Sequence, residues 1–261
     1  MSANIQSVAT LAERISQVRA RIATAALGAA RQPEEITLLA VSKTHPPSAV
    51  REAIAAGVID FGENKVQEAE EKIPQVGRDS IRWHLIGHLQ SNKARKAVEL
   101  FDVIHSLDSV ALARRLERIC EQDGREQLPA LIQVDLGREA TKSGVTEDEL
   151  PELIDALEQC RRLRLQGLMT LPPFYDNPEG VRPFFRRLRQ LRDELRPLGA
   201  FGDGRGELSM GMTHDFEVAI EEGATIVRVG TAIFGERQRG SVLSPEVQIE
   251  RDDYVNHKGN R

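Results

Sequence analysis

At 261 residues, 40% hydrophobic and 29% charged, the chain has the composition of an ordinary globular protein, with room for one large α/β domain or two smaller ones. Lys and Arg number 35 against 40 Asp and Glu; the net charge of −5 argues against bulk attraction to nucleic acid or to an anionic membrane. No stretch reaches the roughly 18 apolar residues of a membrane span. The two cysteines, Cys120 and Cys160, fall in helical patterns without a CxxC spacing, so they read as core residues of a reducing, cytoplasmic compartment.

The first 31 residues are Ala-rich, with Leu11, Ile15, Val18 and Ile22 at helical spacing; Glu13 and the sustained apolar stripe distinguish this helix from an organellar presequence. Eight short strand-like runs follow, at 36–41, 59–61, 83–86, 103–105, 130–134, 163–168, 207–209 and 225–229. Helical patterns alternate with them at 48–56, 65–73, 92–100, 109–122, 147–160, 178–195 and 215–222. Eight such alternations predict a parallel sheet closed into a single (β/α)8 TIM barrel, with the extra N-terminal helix as its eighth helix or as a cover for its bottom. No linker divides the chain. Residues 1–237 are expected to form the barrel, and the polar stretch 238–261 a flexible tail.

Lys43 ends an apolar run, Ile36-Thr-Leu-Leu-Ala-Val-Ser-Lys43, bounded by Pro33 and by Pro46-Pro47. Such a run reads as a strand buried on both faces, whose carboxyl end is where α/β proteins place chemistry. Burial lowers an ammonium pKa and frees the amine to hold a carbonyl as a Schiff base. Taken alone, a lysine in this position is more often one that snorkels to the rim and pairs with a carboxylate.

The loops after strands seven and eight, the usual phosphate site of a barrel, read Leu208-Ser-Met-Gly-Met-Thr213 and Arg228-Val-Gly-Thr-Ala232. Gly211 and Gly230 let backbone approach an anion, and the Ser209 and Thr231 hydroxyls add donors, although each glycine singly reads as a turn residue. Arg228, at the end of the eighth strand, can only donate toward a ring nitrogen; an ion-paired rim arginine is the other reading. Asn64 and His88 read as polar pocket residues, and Ser91 or Asn92 as a helix cap. His84 and His88 are four apart, but Gly87 and the strand-to-loop setting argue against a metal pair. Asp135 and Lys142 read as surface charges rather than as an active-face pair.

Ala40-Val-Ser-Lys-Thr44, Phe61-Gly-Glu-Asn64 with Val66-Gln-Glu68, Trp83 to Lys93, His105-Ser-Leu-Asp-Ser109, Gly167-Leu-Met-Thr170, Ser209-Met-Gly-Met212 and Arg228 to Gly235 run in order from the first strand to the eighth. Together they closely resemble the pyridoxal phosphate homeostasis proteins, which are related to the N-terminal barrel of bacterial alanine racemases. The resemblance implies that Lys43 holds pyridoxal 5'-phosphate as an internal aldimine. It also implies that Ser209, Gly230 and Thr231 form the phosphate cradle, that Arg228 meets the pyridine nitrogen, and that Asn64 lies near the ring. Two stretches depart from the pattern, Gln133 to Gly144 and Thr213-His214, and they bear on the outer pocket.

An arginine at the ring nitrogen leaves the cofactor a poor electron sink. Racemases tolerate it but add a tyrosine base from a further domain, and this chain offers only Tyr175 and Tyr254. The expected function is therefore binding, buffering and delivery of the cofactor to apo-enzymes that depend on it, with little catalysis, as a monomer or weak homodimer. An alanine-racemase-like enzyme is the alternative, and a Schiff-base aldolase acting on a phosphosugar would leave Arg228 unexplained.

Overall fold

The structure, a computed structural model, describes residues 9–137 and 143–235. Lys142, Tyr254 and the expected tail from residue 238 therefore lie outside the described residues. Eight strands run in parallel and close in sequence order: β1 (Thr37–Val41), β2 (Asp60–Glu63), β3 (Arg82–Leu85), β4 (Val103–Leu107), β5 (Leu128–Gln133), β6 (Leu163–Met169), β7 (Glu207–Met212) and β8 (Ile226–Val229). β8 pairs with β1 and seals the barrel.

Around it lie α1 (Leu11–Gly28), α2 (Pro47–Ala55), α3 (Val66–Val76), α4 (Ala94–Leu100), α5 (Val110–Asp123), α6 (Leu150–Glu158), α7 (Arg182–Leu195), α8 (Phe216–Glu221) and the single turn α9 (Thr231–Phe234). Among the described residues no helix is long and apolar enough to cross a membrane.

The alternation of side chains along each strand creates two cores. Outward residues, including Phe61 and Trp83, pack under the helices, while Leu39, Val41, Ile86, Val103, Leu131, Met169 and Ile226 fill the barrel interior. α1 takes the place of the eighth helix. Its buried stripe of Leu11, Ile15, Val18, Ile22 and Ala26 packs on α8, α9 and α2. Its arginines lock it there: Arg14 donates to Ile233 O at 2.6 Å, Arg19 to Gly57 O at 2.6 Å, and Arg31, just beyond the helix, to Ala224 O at 2.8 Å. Thr10 and Glu13 close a capping box at its start.

Two local expectations change. Neither Ser91 nor Asn92 caps α4; both lie in a 3₁₀ turn, Ser91–Lys93, that leads into it without a side-chain cap. β7 runs to Met212 rather than stopping at residue 209, which alters the assignment of Ser209.

Candidate functional site

At the carboxyl ends of the strands, β1, β8 and α9 converge. A Cβ on Gly230 would lie 3.4 Å from Val41 O, so the turn after β8 is packed against the last residue of β1. The His45 ring stacks on Phe234 at 5.0 Å, tying the loop that carries Lys43 to the turn that opens with Thr231. Lys43 is half-buried and Thr231 exposed. Between Lys43 and His45, Thr44 sits in the left-handed region at φ 66°, which costs a non-glycine residue about 1–2 kcal/mol, and its N–H donates to Glu68 Oε2 at 3.0 Å. Asn64 stands at the end of β2 on the same rim. A Cβ at Gly87 would fall 2.1 Å from Asn64 O, so the Gly87 loop closes directly onto the Asn64 backbone, and Ser106 Oγ anchors that loop by donating to Gly87 O at 2.7 Å.

Beneath this loop lies a charged network that the sequence did not reveal. Lys72, on the buried face of α3, donates to Glu63 Oε1 at 2.5 Å and to Ser42 O at 2.7 Å, and Ser42 Oγ donates to Glu63 Oε1 at 2.7 Å. The residue immediately before Lys43 is thus clamped through both its carbonyl and its hydroxyl. Burial pushes the Glu63 carboxyl above its ordinary value against the opposing pull of Lys72, and Glu63 Oε2 is buried without a hydrogen-bond partner among the described residues. A lysine in the apolar stripe of Val66, Ala69 and Ile73 was the available signal.

Arg228 points into the barrel, 3% exposed. It donates to Ser209 Oγ at 2.7 Å and to Thr170 O at 2.9 Å. Burial lowers its pKa to about 10, with Asp215 pulling the other way. Asp215 is itself buried, accepts the Met212 N–H at 2.6 Å, and is raised above its ordinary value by burial. No carboxylate among the described residues hydrogen-bonds Arg228.

Ser209 requires a correction. In register it stands beside Met169 and Ile226, both of the barrel interior, and its hydroxyl lies between Arg228 and His105 Nδ1, the latter at 2.9 Å. A fully buried hydroxyl engaged on both sides is a partner of Arg228, not a donor at the mouth. The loop donors that remain there are Thr231 with the N–H groups after Gly230, and the Met212–Asp215 turn. Gly211 makes that turn possible: its φ is 88°, and a Cβ there would come within 2.5 Å of Ala219 Cβ and 2.9 Å of Phe216 Cα.

His84 and His88 do not converge. His84 is interior, whereas His88 is half exposed beside Asp108 at 3.1 Å. Of the departures noted in the sequence, His214 Nε2 meets Asp176 O at 3.1 Å with its ring beside Phe174, bridging the loops after β6 and β7. Cys120 and Cys160 are buried free thiols, each pushed up to about 11 chiefly by burial.

The family described as "Alanine racemase, N-terminal domain" matches residues 6–238. The pyridoxal phosphate homeostasis protein of Pseudomonas aeruginosa is 45% identical over 237 residues, 91% of this chain and 100% of that protein. PipY of Synechococcus elongatus, solved with pyridoxal phosphate bound, is 41% identical, with a TM-score of 0.75 over 87% of this chain and 100% of that one. Alanine racemase from Corynebacterium glutamicum, 17% identical with a TM-score of 0.61 over 63% of its own length, shares the fold. The chain belongs to the alanine racemase N-terminal domain family and, within it, to the pyridoxal phosphate homeostasis proteins.

Proposed function

We propose that the barrel mouth binds pyridoxal 5'-phosphate and that the protein buffers and delivers this cofactor without turning over amino acids at an enzymatic rate. The residues present fit the group. Lys43 supplies an amine for a Schiff base at the end of β1. Thr231 and the first N–H groups of α9 supply donors for a phosphate, on the turn packed against Val41. Arg228 would donate to the ring nitrogen, and Asn64, on the same rim, would border the ring. The names of the curated relatives and the ligand in PipY support this reading.

The observation that carries the non-catalytic part is Arg228. Bound pyridoxal phosphate supplies an electron sink whose strength depends on protonation of its ring nitrogen. A guanidinium already committed to Ser209 and Thr170 can donate to that nitrogen but offers no carboxylate to hold a proton there. Tyr175, one of the two tyrosines of the sequence, packs against Phe184 and the Gly180 backbone.

The test is incubation of the loaded protein with L-alanine in deuterated water, alongside mixing with an apo-enzyme that needs the cofactor. Negligible exchange at Cα together with transfer of the cofactor is expected. Racemisation at about 1 per second or faster would overturn the reading in favour of a racemase.

A further inference from the structure

An unbroken line of polar side chains crosses the barrel interior from its amino-terminal rim to Arg228. At the rim, Arg82 is ion-paired to Asp60, with Nε 2.7 Å from Oδ1, and a terminal nitrogen donates to Asp60 Oδ2 at 3.0 Å. Asp60 Oδ1 also meets His84 Nε2 at 2.9 Å; His84 Nδ1 meets His105 Nε2 at 2.9 Å; His105 Nδ1 meets Ser209 Oγ at 2.9 Å; and Ser209 Oγ accepts from Arg228 at 2.7 Å. Asp60, His84, His105, Ser209 and Arg228 are all buried, in an interior filled otherwise by aliphatic side chains, Met169 and, in register with Met169, Gln133.

Elementary proton accounting gives this line a direction. Burial works to raise the Asp60 carboxyl, but hydrogen bonds from His84 and Arg82 leave it below its ordinary value; Asp60 is therefore an anion that only accepts, and His84 carries its proton on Nε2. His105 is wholly buried, and burial, His84 and the Arg228 charge hold it neutral. Where His84 is a neutral ring with its proton on Nε2, its Nδ1 is an acceptor, so His105 donates from Nε2 and keeps a lone pair on Nδ1. Ser209 then donates its hydroxyl proton to His105 and turns a lone pair to Arg228. Every bond in the chain points the same way, from the guanidinium to the aspartate.

We propose that His84 and His105 are positioning residues which, with Ser209, connect Arg228 to Asp60 as a remote counter-charge and fix the guanidinium for its contact with the cofactor ring. Aimed this way, Ser209 is an acceptor whose electron density is reinforced at each step by the anion at the far end. The arrangement accounts for a buried arginine with no carboxylate in hydrogen-bond reach among the described residues, and for two histidines inside a barrel with no evident acid/base task. The part that concerns the cofactor rests on the function proposed above.

The experiment has two readouts. On the cofactor-free protein, nitrogen-15 NMR of labelled histidine reports which ring nitrogens are protonated; His84 and His105 are expected as neutral rings with the proton on Nε2. A proton on Nδ1 of His105 reverses the chain and overturns the proposal. On the loaded protein, His105→Leu is expected to shift the near-visible band of the cofactor and weaken its affinity about tenfold, while His105→Gln, which keeps a donor and an acceptor, restores both. Asp60→Asn, at the opposite rim from the pocket, is expected to shift the band in the same direction. A folded His105→Leu protein with unchanged band and affinity overturns the proposal. Should His105→Leu fail to fold, Asp60→Asn carries the spectroscopic decision and an unchanged band counts against the relay. If the wild type takes up no cofactor, the functional reading fails, while the nitrogen measurement still decides the relay.

Discussion

Replacing Lys72 by Met isolates the clamp beneath Lys43. The substitution keeps the aliphatic bulk and removes the ammonium, so Glu63 Oε1 loses its 2.5 Å ion pair and Ser42 O loses its 2.7 Å donor. Glu63 Oε2 already has no partner, which leaves the Ser42 hydroxyl as the carboxylate's only support among the described residues. Breaking a buried pair from one side costs about 3–5 kcal/mol. At about 2–4 °C per kcal/mol for a chain of this size, the melting temperature should fall by roughly 6–20 °C. The cost should also depend on pH. Burial raises the folded pKa of Glu63, Lys72 opposes that rise, and its loss lifts the value further. Between the ordinary pKa and the folded one the native state holds the extra proton, so stability increases as pH falls through the folded value. The deficit relative to wild type should therefore be larger at about pH 7.5 than at about pH 5.5, with the other carboxylates cancelling in the comparison. Thermal unfolding of both proteins at both pH values measures this, and Glu63→Leu/Lys72→Met should recover most of the loss. A single-variant cost below about 1 kcal/mol, or one independent of pH, would refute the clamp.

Gly211→Ala places a Cβ 2.5 Å from Ala219 Cβ at a φ of 88°, so it should cost about 2 kcal/mol or more, and an unchanged melting temperature would contradict the turn geometry. Thr231→Val should weaken binding of pyridoxal phosphate, and competition by inorganic phosphate, about tenfold or more. Ser209→Ala should leave phosphate competition unchanged while shifting the absorption of the bound cofactor; titrations of the two variants side by side separate a phosphate donor from a partner of Arg228.

The barrel was legible because strands buried on both faces read as short apolar runs, and eight of them alternate with amphipathic helices. Lys43 and Arg228 were legible for the same reason, since a permanent or near-permanent charge ending an apolar run needs an explanation. Ser209 was misread because the apolar signal in β7 fades at Met210-Gly211; ending the strand there made Ser209 a loop residue, whereas three further residues of strand keep it inside the barrel. Glu63 and Lys72 were missed because their meeting depends on how α3 lies over β2, which spacing along one chain does not encode. Asp60, His84 and His105 share the inward parity of their strands, so counting alternation from Gly62, Ile86 and Val103 would have placed them inside. Which of them touch depends on the relative stagger of neighbouring strands, and only the closed sheet supplies that.

The most direct test of the central claim, that this barrel mouth holds pyridoxal phosphate through Lys43, is borohydride reduction of the loaded protein followed by peptide mapping. The pyridoxyl group should be found on the peptide containing Lys43, and Lys43→Ala should lose the near-visible band. Recovery of the label mainly on another lysine, with the band intact in Lys43→Ala, would contradict the account.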